Sequence, residues 1–205
     1  LFRINVQCKI AVDPNFSFLN FRTLGLFLKY NKRAHITYHR CTSDEYFDHI
    51  EPGSTFDLVF VDGLHTYDQS LRDVNNALNY LSEGGLVLLH DCNPGTEAEA
   101  CPAQSCQQAA EYKLPGWTGV WCGDVWKTIC NLRAFRDDLN VFVLDCDLGV
   151  GVITRGKPEN TISLSAEQIK AMTFSDLSAN KELFLNLKKV GYLDQFLTEV
   201  SFYKL

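Results

Sequence analysis

From Phe56 to Asp91 the chain reads strand, helix, strand. Phe56-Asp57-Leu58-Val59-Phe60-Val61-Asp62 is a nearly continuous apolar run ended by an acid and Gly63, the pattern of a strand buried in a parallel sheet. Leu71, Val74, Leu78 and Leu81 follow at helical spacing, interleaved with Arg72, Asp73, Asn75 and Asn76. This predicts an amphipathic helix lying on the sheet. Gly84-Gly85 is expected to close it, because a helix C-terminus favours a residue of positive φ. Leu86-Val87-Leu88-Leu89 then reads as a second buried strand, ending in His90-Asp91-Cys92-Asn93-Pro94. Two strands joined by a helix are parallel and cross over right-handedly, so the expected architecture is a Rossmann-like α/β sheet.

The flanks extend that sheet. Lys9-Ile10-Ala11-Val12-Asp13-Pro14 reads as a short strand ended by an acid and Ile36-Thr37-Tyr38-His39 as another, with a helix over 18–30 between them and residues 1–8 as the end of an earlier helix. Val141-Phe142-Val143-Leu144-Asp145 and Gly151-Val152-Ile153-Thr154 are close enough to pair as an antiparallel hairpin through 146–150. Residues 94–122 are too long for a plain connector and are expected to form a lid with some helix near 104–111. Its Tyr112, Trp117 and Trp121 either cover a substrate crevice or pack under the loop as a satellite core. After Pro158 a helical tail is expected, with Ser165 capping 166–172 and Ser178 capping 179–190. The domain reading is therefore an α/β domain over 1–157 and a tail over 158–205. Leu183, Phe184, Leu187, Val190 and Leu193 give that tail an apolar face, which either packs on its own domain or assembles a homo-oligomer.

Composition narrows the function classes. At 205 residues, with 46% hydrophobic and 21% charged residues, the chain fits one globular domain with an appended piece. A net charge of −6 with scattered basic residues argues against nucleic-acid binding, which needs concentrated positive charge. No window of about 18 apolar residues suggests a membrane span, and the first residues do not read as a signal peptide. A cytoplasmic location is expected. The first residue is Leu and not Met, from which a missing upstream segment is expected. The eight cysteines are too sparse for a disulfide scaffold and include no Cys-x-x-Cys pair; most are expected as buried thiols, with Cys101–Cys106 the one bridge considered.

Asp13, Asp62 and Asp91 each end an apolar strand. In an open α/β sheet such ends share one edge, where ligands bind, so the three carboxylates are expected to converge, although each alone could cap a turn. Asp13 is placed to accept the hydroxyls of a ribose. Asp62 and Asp91 are suited to a divalent cation, with Asn93 as a neutral third ligand. His65 or His90 could act as general base toward a hydroxyl; the plainer alternatives are that His65 opens the following helix and His90 is a core histidine. His35, His39 and His49 fall outside this edge. Gly149-Val150-Gly151 precedes a strand and not a helix, so it reads as a hairpin turn and not a phosphate loop. Neither a P-loop motif nor G-x-S-x-G occurs.

The run from Phe56 to Tyr67 with its D-G-x-H-x-Y motif, the later Gly84-Gly85, and His90-Asp91-Cys92-Asn93-Pro94 resemble class I S-adenosylmethionine-dependent methyltransferases, specifically the subgroup with D-G-x-H-x-Y and H-D motifs. Gly123-Asp124-Val125-Trp126-Lys127 and the hairpin from Asp145 to Gly156 share the likeness, which covers about residues 9–156. The resemblance implies a mostly parallel sheet of order 3-2-1-4-5-7-6 with the last strand antiparallel. It implies S-adenosylmethionine as cofactor, bound through Asp13, Ser43, Asp44 and Asp62. It implies O-methylation of a small molecule or glycan and matches Asp62 and Asp91 to positions that hold a metal in the metal-dependent members; with the residue reading above, His65, Asp62 and His90 are the expected catalytic residues, and Mg2+ or another divalent cation is expected at Asp62, Asp91 and Asn93. The metal-dependent members place Asn directly after the second Asp, whereas Cys92 intervenes here. The family's first strand and glycine-rich loop should precede Asp13 by about 20 to 30 residues, so a gap is expected between the strands at 9–13 and 57–61. The competing class is a methyltransferase-like interaction or assembly module without cofactor, which would tie Asp62 and Asp91 to backbone or Arg partners.

Overall fold

The structure, a computed structural model, describes residues 6–16 and 35–202, and the chain divides into two compact units, Leu1–Ser54 and Thr55–Leu205. In the first unit β1 (Cys8–Val12) pairs in parallel with β2 (His35–His39), in register from Cys8↔His35 to Val12↔His39. Helix α1 (Ser43–Asp48) follows, started by a capping box in which Thr42 Oγ1 accepts from Glu45 N–H while Glu45 Oε2 accepts from Thr42 N–H at 2.8 Å. The helix expected over 18–30 lies outside the described residues. Val6 and Gln7 are not helical and Cys8 already belongs to β1, so residues 6–8 do not end a helix as expected.

The second unit carries the strand–helix–strand core. Strand β3 (Phe56–Val61), helix α2 (Tyr67–Asn79) and strand β4 (Leu81–Leu89) form the expected crossover, with β3 and β4 parallel and aligned from Leu58↔Leu86 to Val61↔Leu89. After α3 (Cys106–Glu111) and α4 (Trp126–Phe135), β5 (Leu139–Leu144) and β6 (Val150–Arg155) make the expected antiparallel hairpin. Strand β6 inserts between β4 and β5, and β7 (Leu187–Lys188) pairs in parallel with β5, for an order β3-β4-β6-β5-β7. Only β6 runs against the rest of this sheet. Among the described residues no strand pairs with both β1 and β3.

Two local expectations are corrected. Helix α2 ends at Asn79 and not at Gly84-Gly85, because Phe56 N–H captures the Tyr80 carbonyl at 2.8 Å and draws the chain into the sheet early. The two glycines lie inside β4, beside a register shift between Phe56 and Leu58. Gly84 takes φ +67°, and a Cβ on Gly85 would stand 2.9 Å from the Leu81 side chain and 3.1 Å from the Asp57 carbonyl. In the tail, α5 (Ala166–Ala171) is capped by Ser165 as expected. No helix spans 179–190, however. Ser178 sits within α6 (Phe174–Ala179), Asn180 separates it from α7 (Lys181–Leu185), and Asn186 at φ +48° ends α7. The next two residues pair with β5 on the side away from β6. Helix α8 (Tyr192–Phe202) closes the fold.

Val74 from α2, Val87 and Leu89 from β4, Ile129 and Leu132 from α4, Phe142 from β5 and Ile153 from β6 are buried, each side chain contributing about 1.5–3 kcal/mol. All eight cysteines are free; Cys92, Cys101, Cys122 and Cys130 are buried, so half and not most of the thiols are internal. The Cys101–Cys106 bridge does not form, since Cys101 packs inward with Ala103, Ala109 and Trp121 while Cys106 opens α3 on the surface. Among the described residues no helix is long and apolar enough to cross a membrane.

Candidate active site

Because Val61 and Leu89 are register partners, β3 and β4 end level and their next residues meet. Asp62 follows β3, and His90-Asp91 follow β4, with His90 N–H donating to the Val61 carbonyl at 3.0 Å. Asp91 turns the chain at φ +62°, a left-handed conformation that costs a non-glycine residue about 1 kcal/mol or more. The hairpin braces that turn from below: Cys92 N–H donates to the Gly149 carbonyl at 3.0 Å and Asn93 N–H to the Leu148 carbonyl at 2.7 Å. Gly149 is required there, for its φ is +85° and a Cβ would lie 2.4 Å from Asn93 N. This strain is held in place by the surrounding ladder and carries the Asp91 carboxylate inward, where it is 4% exposed.

Two imidazoles flank the carboxylates. His65 Nδ1 donates to the Trp121 carbonyl at 2.7 Å; a carbonyl only accepts, so the hydrogen is on Nδ1. Nε2 is thereby left to face Asp91 Oδ2 at 3.2 Å and Asp62 Oδ1 at 3.7 Å. His90 Nδ1 approaches the same oxygens at 3.1 and 3.6 Å, and its Nε2 lies 3.5 Å from Asp147 Oδ2. Burial works against a charge on His65, but the neighbouring carboxylates of Asp62 and Asp91 outweigh it and raise its pKa. His90 follows the same balance, with desolvation overcome by Asp91 and Asp62. The nearby His65 imidazole in turn lowers the pKa of Asp62 against its partial burial.

The loop after β4 builds the wall behind His65. The Trp121 ring stacks on the imidazole at 5.2 Å between centroids, while its Nε1 donates to the Cys101 carbonyl at 2.8 Å. Trp121 belongs to the satellite core while it lines His65, Trp117 is half-buried against that core, and Tyr112 is exposed. Gly123, at φ +60°, passes so close that a Cβ would overlap the His65 carbonyl. Asp124 Oδ1 accepts from Tyr67 N–H at 2.7 Å at the start of α2, which Thr66 caps. Cys122 lies beside Asp91, and burial followed by that carboxylate's charge pushes its thiol pKa up.

Of the expected site residues, Asp62, His65, His90 and Asp91 come together. Asn93 does not join them, which corrects the expected metal set: its Oδ1 accepts from Lys181 Nζ at 2.8 Å and its Nδ2 donates to Asp145 Oδ1 at 3.0 Å. The extra residue, Cys92, supplies the backbone bond to Gly149, and Asn93 follows on toward the hairpin. The donor atoms of Asp62, His65 and Asp91 all lie within 4.8 Å of one another, and a divalent cation fits a set of two carboxylates and one directed imidazole nitrogen. Asp13, Ser43 and Asp44 belong to the first unit. Asp13 directly follows β1 and its Oδ1 accepts from Asn15 N–H at 2.6 Å; Ser43 and Asp44 open α1 beyond β2. Since β1 and β2 are parallel and in register, all three lie past one edge of that sheet. Sequence reasoning gave no role to the Trp121 carbonyl, Cys122 or Gly123. The only signal there was the Gly123–Lys127 motif, whose Asp124 meets Tyr67 across 57 residues.

Residues 8–92, under half of the chain, match a family model described as a methyltransferase domain. No curated protein matches the chain. Among solved structures, an SAH-bound methyltransferase from Podospora anserina aligns at 17% identity and a TM-score of 0.45, over 73% of this chain and 60% of that one. A structural-genomics protein from Corynebacterium glutamicum aligns at 16% and 0.44, over 76% of this chain and 61% of that one. The chain thus spans less than two thirds of the length of either.

Proposed function

We propose that this chain, a methyltransferase-domain protein over residues 8–92, moves a methyl group from S-adenosylmethionine to a hydroxyl oxygen of a small molecule or glycan. The observation that carries the reading is the buried Asp91 carboxylate between two imidazoles, within the matched stretch. The cofactor supplies a methyl group on a sulfonium sulfur, so the protein's work is alignment and acceptance of the proton that the acceptor hydroxyl gives up. Asp13, Ser43 and Asp44 of the first unit are proposed to bind the cofactor. His90, and in the absence of a cation His65 as well, offers a ring nitrogen for the proton, and Asp62 and Asp91 stabilise the imidazolium that results. A divalent cation at the carboxylates would lower the pKa of the acceptor hydroxyl and lighten that task. The interaction-module reading called for backbone or Arg partners at Asp62 and Asp91; the nearest charged partners of both are the imidazoles. A cytoplasmic location and the absence of nucleic acid among its partners belong to the same proposal.

Titration calorimetry with S-adenosylhomocysteine tests this. We expect saturable heat with a Kd below about 1 mM, a binding free energy beyond about −4 kcal/mol, and weaker binding in Asp13→Ala. No heat at millimolar ligand would overturn the enzyme reading.

A further inference from the structure

We infer that His65 is a metal ligand, and that Asp62, His65 and Asp91 form a site selective for a divalent first-row transition ion over Mg2+. This deepens the reading above and rests on it only for the use made of the cation, not for its binding. The geometry comes first. In an octahedral shell with metal–donor bonds of about 2.1 Å, neighbouring donors stand about 3.0 Å apart. His65 Nε2 is 3.2 Å from Asp91 Oδ2 and 3.7 Å from Asp62 Oδ1, close to two edges of such a shell, and the three donors lie within 4.8 Å of one another.

The imidazole is also prepared for ligation. A metal-bound histidine ordinarily donates its other ring N–H to a carbonyl or carboxylate, which fixes the tautomer and aims the free nitrogen. The Trp121 carbonyl does this at Nδ1, the Trp121 ring fixes the imidazole plane by stacking, and Gly123 lets the loop close onto the His65 backbone. Asn93, the neutral oxygen ligand expected from sequence, is held by Lys181 and Asp145 instead. Exchanging an amide oxygen for an imidazole nitrogen changes the preferred ion. Oxygen-only sets suit Mg2+ and Ca2+, whereas an added imidazole favours ions such as Mn2+, Fe2+ or Zn2+, in the order of increasing affinity along the row.

The test uses the whole chain, stripped with EDTA and titrated with MnCl2 and separately with MgCl2. One Mn2+ per chain is expected, bound at least about tenfold more tightly than Mg2+. Pulsed electron paramagnetic resonance of the Mn2+ complex should show modulation from a directly bound nitrogen. His65→Gln should abolish that modulation and weaken Mn2+ by at least about tenfold, while His90→Gln and Asn93→Ala leave the modulation in place. Because the nitrogen signal is read on the unaltered protein, a misfolded variant does not blunt the test. Absence of Mn2+ binding, bound Mn2+ with no nitrogen signal, a signal lost in His90→Gln and kept in His65→Gln, or Mg2+ bound as tightly as Mn2+ would each overturn the inference. If Mn2+ binds as described while S-adenosylhomocysteine does not, the methyl-transfer reading fails and the metal site stands.

Discussion

Asp91 holds two imidazoles above their ordinary pKa from a buried position, and this has a consequence for stability. In metal-free protein, His65 and His90 each bind a proton more tightly when folded than when unfolded. Their contribution is therefore complete below the unfolded value of about 6.5 and is lost as pH rises through the higher folded values. The melting temperature of chelated protein is expected to fall as pH rises above about 6.5 for this reason. Asp91→Asn removes a main source of the raised pKa in both rings and should flatten that part of the profile. A melting profile in which the variant keeps the full wild-type slope would show that the carboxylate does not govern these rings. A second lesson lies in the glycines: Gly123 and Gly149 leave room for a backbone to touch a backbone, and both contacts set a site residue in place.

Among the elements, the tail departs most from its sequence pattern. Residues 179–190 carry helical spacing, yet the chain breaks at Asn180 and Asn186, and Leu187–Lys188 become a strand on β5. Asn186 makes the break. It takes the left-handed conformation that ends α7 and is buried, with Nδ2 donating to the Val141 carbonyl at 3.3 Å and to Glu159 Oε2 at 3.1 Å. Asn186→Ala loses both bonds and strains the turn, so a cost of about 1–3 kcal/mol is expected. Asn186→Gly relieves the strain but not the lost bonds and should fall between the two in melting temperature. Equal melting temperatures for wild type and the Ala variant would show that β7 is not anchored there.

For the whole molecule, the thiols report burial directly. All eight are free, with Cys8 and Cys106 exposed and Cys92, Cys101, Cys122 and Cys130 buried. Burial pushes the thiol pKa up at each of those four internal cysteines, which keeps them as unreactive thiols near neutral pH. A thiol reagent applied to native protein is expected to modify Cys8 and Cys106 first, and all eight only in denaturant. Fast native modification of Cys92 or Cys122, identified by peptide mapping, would mean that the region around Asp91 opens far more readily than its packing implies.

Much of this protein was legible along the chain. The runs at Phe56–Val61 and Leu86–Leu89 are apolar enough to be buried on any packing, and the helix between them has one period; together they admit only a parallel crossover, which places Asp62 and Asp91 side by side. The hairpin was equally local, being two strands joined by a tight turn. What the chain did not reveal were interactions without a sequence period. Asn93 was a plausible ligand by type, but one additional residue after Asp91 carried it toward Lys181, 88 positions away. The residues around His65 in sequence say nothing of Trp121, whose carbonyl decides which ring nitrogen is free. Strand β7 is defined by its pairing with β5 more than forty residues away, a fact of the assembled sheet. Local periodicity is written in each segment by the need to bury apolar surface, whereas ligand direction and edge pairing depend on which distant backbone groups folding brings within hydrogen-bonding reach.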